Sequence, residues 1–102
     1  MLKVGVVECQ FPLMLKCTFT TGAIKWLDVA PLLRNHTHLK GIERLWDEKV
    51  FNQAQIGEVG QVLWPSIIHT EDPVHGPSVW DYDISPEFIF AEGRSEGQVS
   101  IN

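Results

Sequence analysis

Residues 3–29 read KVGVVECQFPLMLKCTFTTGAIKWLDV, and how this stretch turns decides the fold. KVGVVEC (3–9), LMLKCTFT (13–20) and AIKWLDV (23–29) are rich in β-branched and apolar residues that alternate with period two, so each reads as a strand. QFPL (10–13) turns between the first two strands with Phe11 and Pro12 at its tip, and Thr21–Gly22 makes a two-residue turn into the third. The product is a three-stranded antiparallel meander. In this register Cys9 pairs with Met14 and Val6 with Cys17. Val4 and Val6 then lie beside Phe19 and Cys17, and these beside Ile24 and Trp26, on one face that is the expected core. Glu8 and Asp28 flank Leu15 at the end of that face. Burial and mutual repulsion would raise a carboxyl pKa there, but acids at strand ends are ordinarily solvated.

Outward from the meander, APLLR (30–34) suits one helical turn with Pro31 near its start, and NHTHLKG (35–41) is a polar loop closing on Gly41. Asp47 is an N-cap ahead of Glu48, followed by Val50, Phe51 and Ala54 on one side of a short helix that Phe51 anchors to the sheet. QIGEVGQVLWP (55–65) reads as a second hairpin whose outgoing strand ends at Pro65. Ser85 before Pro86 and Glu87 starts another helix, with Phe88, Ile89 and Phe90 as its apolar side. The expected architecture is α+β, with an antiparallel sheet of about five strands (the N-terminal meander plus the second hairpin) and two short helices. Residues 1–92 form the single domain, 66–82 are a loop inserted into it, and 93–102 are a flexible C-terminal tail in which QVSI (98–101) is the one segment suited to an edge strand.

Composition narrows the function classes. A chain of 102 residues, 44% apolar and 21% charged, fits one ordinary domain, and no apolar run is long enough to span a bilayer. The N-terminus alternates too much for a signal peptide, which leads to the expectation of a cytoplasmic protein. A net charge of −5 opposes phosphate backbones, so direct nucleic-acid binding is not expected. Cys9 and Cys17 are too few for a disulfide framework or a four-cysteine zinc site, and both are expected reduced. No cofactor motif and no Gly-rich phosphate loop is present, and no nucleophile sits in a recognisable catalytic setting; Ser85 is a cap, not a nucleophile elbow.

The candidate site residues concentrate in the 66–82 segment. His69, Glu71, Asp72 and His75 offer nitrogen and oxygen ligands within seven residues, the donor types that zinc, manganese or iron accepts, though the spacing matches no defined motif. His36 and His38 form an H-x-H pair without a nearby acid, which reads as solvated loop. Asp81 and Asp83 flank Tyr82, and Asp83 suits the turn into the Ser85 cap. Four tryptophans exceed what one small core absorbs, and Trp80 is the one best placed to face a partner. Trp80, Asp81, Tyr82 and His75 are therefore the candidate interaction residues.

Phe19, Gly22, Trp26, Asp28, Pro31, Leu32 and Leu33, then Phe51, Trp64–Pro65 and Asp83–Ile84–Ser85–Pro86–Glu87 together carry a resemblance. In their order and spacing the chain, over about residues 4 to 90, resembles the bacterial domain-of-unknown-function family 2442. The resemblance implies a small α+β domain without an established enzymatic activity or agreed catalytic residues. Some relatives are fused to a helix-turn-helix DNA-binding domain, and others are encoded beside a second small protein in pairs that look like toxin–antitoxin modules. An accessory or regulatory role is thus implied more than a reaction. Family members usually pass from the Trp–Pro pair to the Asp-x-Ser-Pro-Glu stretch within a few residues, whereas SIIHTEDPVHGPSVWDY (66–82) intervenes here, and the end at Asn102 leads to the expectation of no helix-turn-helix.

Two functions remain in view. The leading one is a non-enzymatic protein-interaction or regulatory module, the antitoxin-like half of a two-protein system, acting on a protein partner or by self-association. The alternative is a small metal- or ligand-binding protein, with metal-dependent hydrolysis as its chemistry, using the 69–75 loop.

Overall fold

The computed structural model describes residues 1–95. The meander forms as β1 (Val4–Gln10), β2 (Met14–Phe19) and β3 (Ile24–Asp28), and a short β7 (Arg94–Ser95) pairs with β3 to complete a four-stranded antiparallel sheet. A second, three-stranded sheet holds β4 (Gln55–Ile56), β5 (Val62–Asp72) and β6 (Gly76–Ile84) in that order. Helices α1 (Ala30–Asn35), α2 (Glu48–Phe51) and α3 (Pro86–Glu92) and a 3₁₀ turn (Ile42–Trp46) connect and cover them. The described residues are α+β, with seven strands divided between two sheets and a third helix where about five strands and two helices were expected. Among the described residues, no helix is long and apolar enough to cross a membrane.

Both meander turns are one residue longer than their sequence suggests. Gln10 pairs with Met14 across Phe11–Pro12–Leu13, where the Phe11–Pro12 bond is cis and Leu13 has φ 61°. Phe19 N–H reaches the Ala23 carbonyl across Thr20–Thr21–Gly22, with Gly22 at φ 95°. A three-residue hairpin loop wants its last residue left-handed, and glycine adopts that conformation without a side-chain clash. The longer second turn shifts β3 by one residue against β2. Side chains alternate with period two, so the shift moves Ile24 and Trp26 off the Cys17 face: they pair with Thr18 and Lys16. The core side of the meander is instead Val4, Leu15, Cys17, Phe19 and Leu27, while Val6 is exposed. A bulge between Val4 and Val6 restores the expected Val4–Phe19 pair. Glu8 and Asp28 do not flank Leu15: Glu8 lies 3.9 Å from Lys16 Nζ, and Asp28 accepts the Ala30 N–H at the start of α1.

Local signals hold at both predicted caps. Asp47 accepts from Lys49 N–H at 2.8 Å and Ser85 from Phe88 N–H at 3.1 Å. Phe51 is fully buried, and its carbonyl accepts both the Trp64 indole N–H (2.8 Å) and the Cys9 S–H (3.5 Å). One apolar cluster joins the two sheets through Leu15, Phe51, Val62, Trp64, Ile67 and Ile89.

The largest correction concerns residues 66–82, which are the outer part of one long hairpin and not an inserted loop. Pro65 does not end β5. Trp64 pairs with Tyr82 and Ile68 with Trp80, so residues 65–67 stand opposite Asp81 alone in a bulge. The bulge leaves room for a proline that has no N–H to give the ladder and for Ser66 at φ 56°. The Asp81 carboxylate accepts the Ser66 N–H at 3.0 Å, and Arg44 donates to the Ser66 carbonyl at 3.1 Å. Pairing resumes as far as Asp72–Gly76. The expected tail is corrected at Arg94–Ser95, which pair with Trp26 and Lys25; QVSI (98–101) lies outside the described residues.

Candidate functional site

The hairpin brings the predicted residues into an order that the linear sequence hides. His69 stands opposite Val79, Glu71 opposite Pro77 and Asp72 opposite Gly76 near the tip. Asp72 builds the turn: its Oδ1 accepts the N–H groups of Val74 (2.7 Å) and His75 (3.1 Å), and its Oδ2 lies 3.4 Å from His75 Nδ1. These backbone donors, and then the imidazole, hold the Asp72 carboxyl below its usual range. His75 and Asp72 are thus a turn-forming pair. Among the described residues, no three His, Cys, Asp or Glu side chains gather as a metal-binding group.

The predicted interaction residues fare differently, because β6 carries three of them into one groove. Tyr82 is buried against Trp64 with ring centroids 6.0 Å apart, and its hydroxyl lies 2.9 Å from His36 Nδ1. Burial, with the Asp83 charge second, pushes the Tyr82 pKa up to about 12, so the phenol is protonated at neutral pH. Trp80 stands two residues nearer the tip and is 59% exposed. Its indole N–H donates to Thr70 Oγ1 at 2.8 Å, which fixes the ring across the hairpin while leaving much of its surface in water. Asp81 and Asp83 complete this stretch. His75, at the turn, does not line the groove.

A groove of about 560 Å³ runs beside these residues, walled by Leu32 of α1, His36 at its C-terminal cap, Leu39 of the following loop, and Phe88 of α3. Sequence reasoning missed these walls. His36 caps the end of α1, where its N–H donates to the Leu32 carbonyl, but nothing local in the sequence sets these two residues against Tyr82. The loop is held there by backbone: His69 N–H donates to the Lys40 carbonyl at 2.9 Å. Gly41 follows at φ 103°, where any Cβ would collide with the Ile67 carbonyl, so glycine is what permits this approach. His36 and His38, read as a solvated pair, have ring centroids 5.9 Å apart, and His36 is occupied by Tyr82.

The two cysteines are free. Burial, with the Cys9 charge second, pushes the Cys17 thiol up to about 12, and burial likewise raises Cys9. Neither is a ready thiolate at neutral pH. Charge is distributed unevenly along the chain: residues 50–93 hold seven Asp and Glu and no Lys or Arg, so the β4–β5–β6 sheet and α3 make an acidic half.

No family model matches the chain, and no curated protein or solved structure matches it.

Proposed function

We propose that this chain is a non-enzymatic protein-interaction module that engages a protein partner, or a second copy of itself, through the outer part of the β5–β6 hairpin. The observation that carries this reading is Trp80: a large aromatic, 59% exposed and held in one orientation by Thr70. It is set in a stretch, residues 50–93, with seven Asp and Glu and no Lys or Arg, which Lys40 and Arg44 meet from the preceding segment. Fixing an aromatic before binding lowers the ordering entropy lost on association, and exposed tryptophans dominate interface energetics. The acidic surroundings would steer a basic partner and repel acidic ones. The regulatory side of the same proposal, as one half of a two-protein system, rests on the sequence resemblance to family 2442, in which some members are encoded beside a second small protein.

Affinity capture from the host with three forms of the chain tests it: unmodified, Trp80→Ala and Trp46→Ala. Trp46 is a fair control because it is also exposed, at 45%, but lies at the end of the 3₁₀ turn outside the groove. One partner at near-stoichiometric yield, kept by Trp46→Ala and lost by Trp80→Ala, is expected. A partner-free monomer by light scattering, or equal loss with both variants, would overturn the proposal.

A further inference from the structure

We infer that the outer edge of β6 is a strand-addition site, and that its occupant is an extended, basic segment of a partner protein. This rests on the interaction reading above and gives it a binding mode and a partner chemistry.

β6 is the last strand of its sheet. Among the described residues, no backbone outside β5 hydrogen-bonds to Gly76–Ile84. β5 differs, for β4 pairs with it at Val62–Leu63 and the Lys40 carbonyl takes the His69 N–H. Folded proteins usually keep such edges short or cover them, because a row of unpaired N–H and C=O groups is a template for another strand. Pro77 and the Asp81 and Asp83 charges blunt this edge in part, but from Ser78 to Ile84 every residue keeps a backbone N–H, and among the described residues the edge is open to a further strand.

The groove follows that edge. Its lining includes every residue from Trp80 to Ser85 in succession. Alternate residues of a strand point to opposite faces, so an unbroken run contributes the outer side of β6 as well as the face that Trp80, Tyr82 and Ile84 share with Ile68 of β5, and the groove reaches the strand's edge from that face. Six extended residues reach about 17 Å, room for a short incoming strand. Leu32, Leu39 and Phe88 give the wall apolar seats for alternate side chains of that strand, while its main chain would pair with β6.

Charge selects the occupant. The groove lining holds Asp81 and Asp83 and no Lys or Arg. A second copy docked edge to edge would bring two such acidic strands together, which like-charge repulsion opposes. Trp80 and Asp83 point to opposite faces of β6, so basic side chains at different positions of the incoming segment meet them, one in a cation–π contact with the exposed Trp80 face and another in a charge-assisted hydrogen bond with the Asp83 carboxylate.

The test is an NMR titration of the isotope-labelled full chain with three blocked peptides of β6's length. The first alternates arginine with valine, the second glutamate with valine, and the third is the first with every other backbone amide N-methylated. The arginine peptide is expected to shift the Gly76–Ile84 amides and the Trp80 indole and to bind about tenfold or more tighter than the glutamate peptide. Methylation removes the main-chain donors and should weaken binding by about tenfold or more. Equal affinity of the methylated peptide would overturn strand addition while leaving an acidic interaction surface, and hence the broader reading, intact. The absence of any β6 shift with the arginine peptide would also overturn it, as would a dimer in solution whose contact protects the β6 amides. The host capture experiment decides the broader reading separately.

Discussion

The two ends of the β5–β6 hairpin are made of the same two strands and live in different surroundings. Inside the bulge, Val62, Trp64, Tyr82 and Ile84 are all buried, and the aromatic rings continue into Phe51. Beyond it, Trp80 and Val79 are at least half exposed, and the tip carries Glu71, Asp72 and His75. The bulge at residues 65–67 is the boundary. Below it, side chains are chosen by packing; above it, Ile68 is still buried but the strands beyond it are largely exposed, and a fixed tryptophan near acids is better explained by what it can meet than by what it holds together.

The sharpest way to break this comparison is to truncate one tryptophan on each side. Trp64→Ala removes a fully buried ring and its hydrogen bond to Phe51, and should cost about 4 kcal/mol in urea unfolding. Trp80→Ala should cost only about 0.5 kcal/mol, the scale of a surface change, while abolishing partner capture. Similar losses from both would show that the outer half belongs to the core. The boundary itself is tested by Asp81→Ala, which frees the Ser66 N–H and should cost about 1 kcal/mol by the same assay.

Titration separates the halves by pH. Tyr82 and Cys17 have folded-state pKa values raised from 10.0 and 9.0 to about 12. Their contribution to stability is complete below the unfolded values and is lost as pH rises toward about 12, because the unfolded chain ionises first. Stability measured by denaturant should therefore fall above about pH 9, and Tyr82→Phe together with Cys17→Ala should flatten that fall. The outer half responds to acid instead. The Asp72 carboxyl is lowered, so its support of the turn is present above the unfolded value of 3.8 and is lost as pH falls through its folded value. This smallest effect should be visible as local shifts of the Val74 and His75 amides at acid pH, with the global transition unmoved.

Much of the scaffold was legible because it is local. The Asp47 and Ser85 caps, the Phe51 anchor, the proline at the start of α1 and the three meander strands are each signalled within a few residues. What failed was counting at turns and reading one proline. Leu13 in a left-handed conformation lengthened the first turn, and Gly22 used as the third residue of its loop lengthened the second. One residue in the second turn was enough to move Ile24 and Trp26 off the expected core face. Pro65 is a sound strand terminator by itself; the bulge that accommodates it depends on Asp81 and Arg44, distant in sequence. The candidate site was legible at Trp80, Asp81 and Tyr82, whose composition stands out, and not at Leu32, His36, Leu39 or Phe88, which become its walls only through tertiary packing.

Residue-resolved native-state hydrogen exchange across the hairpin tests the division most directly. Amides that pair Val62–Trp64 with Tyr82–Ile84 should exchange only through global unfolding, whereas those of Thr70–Asp72 and Ser78–Trp80 should open at distinctly lower free energy with the core intact. Uniform protection along both strands in the partner-free protein would contradict the account.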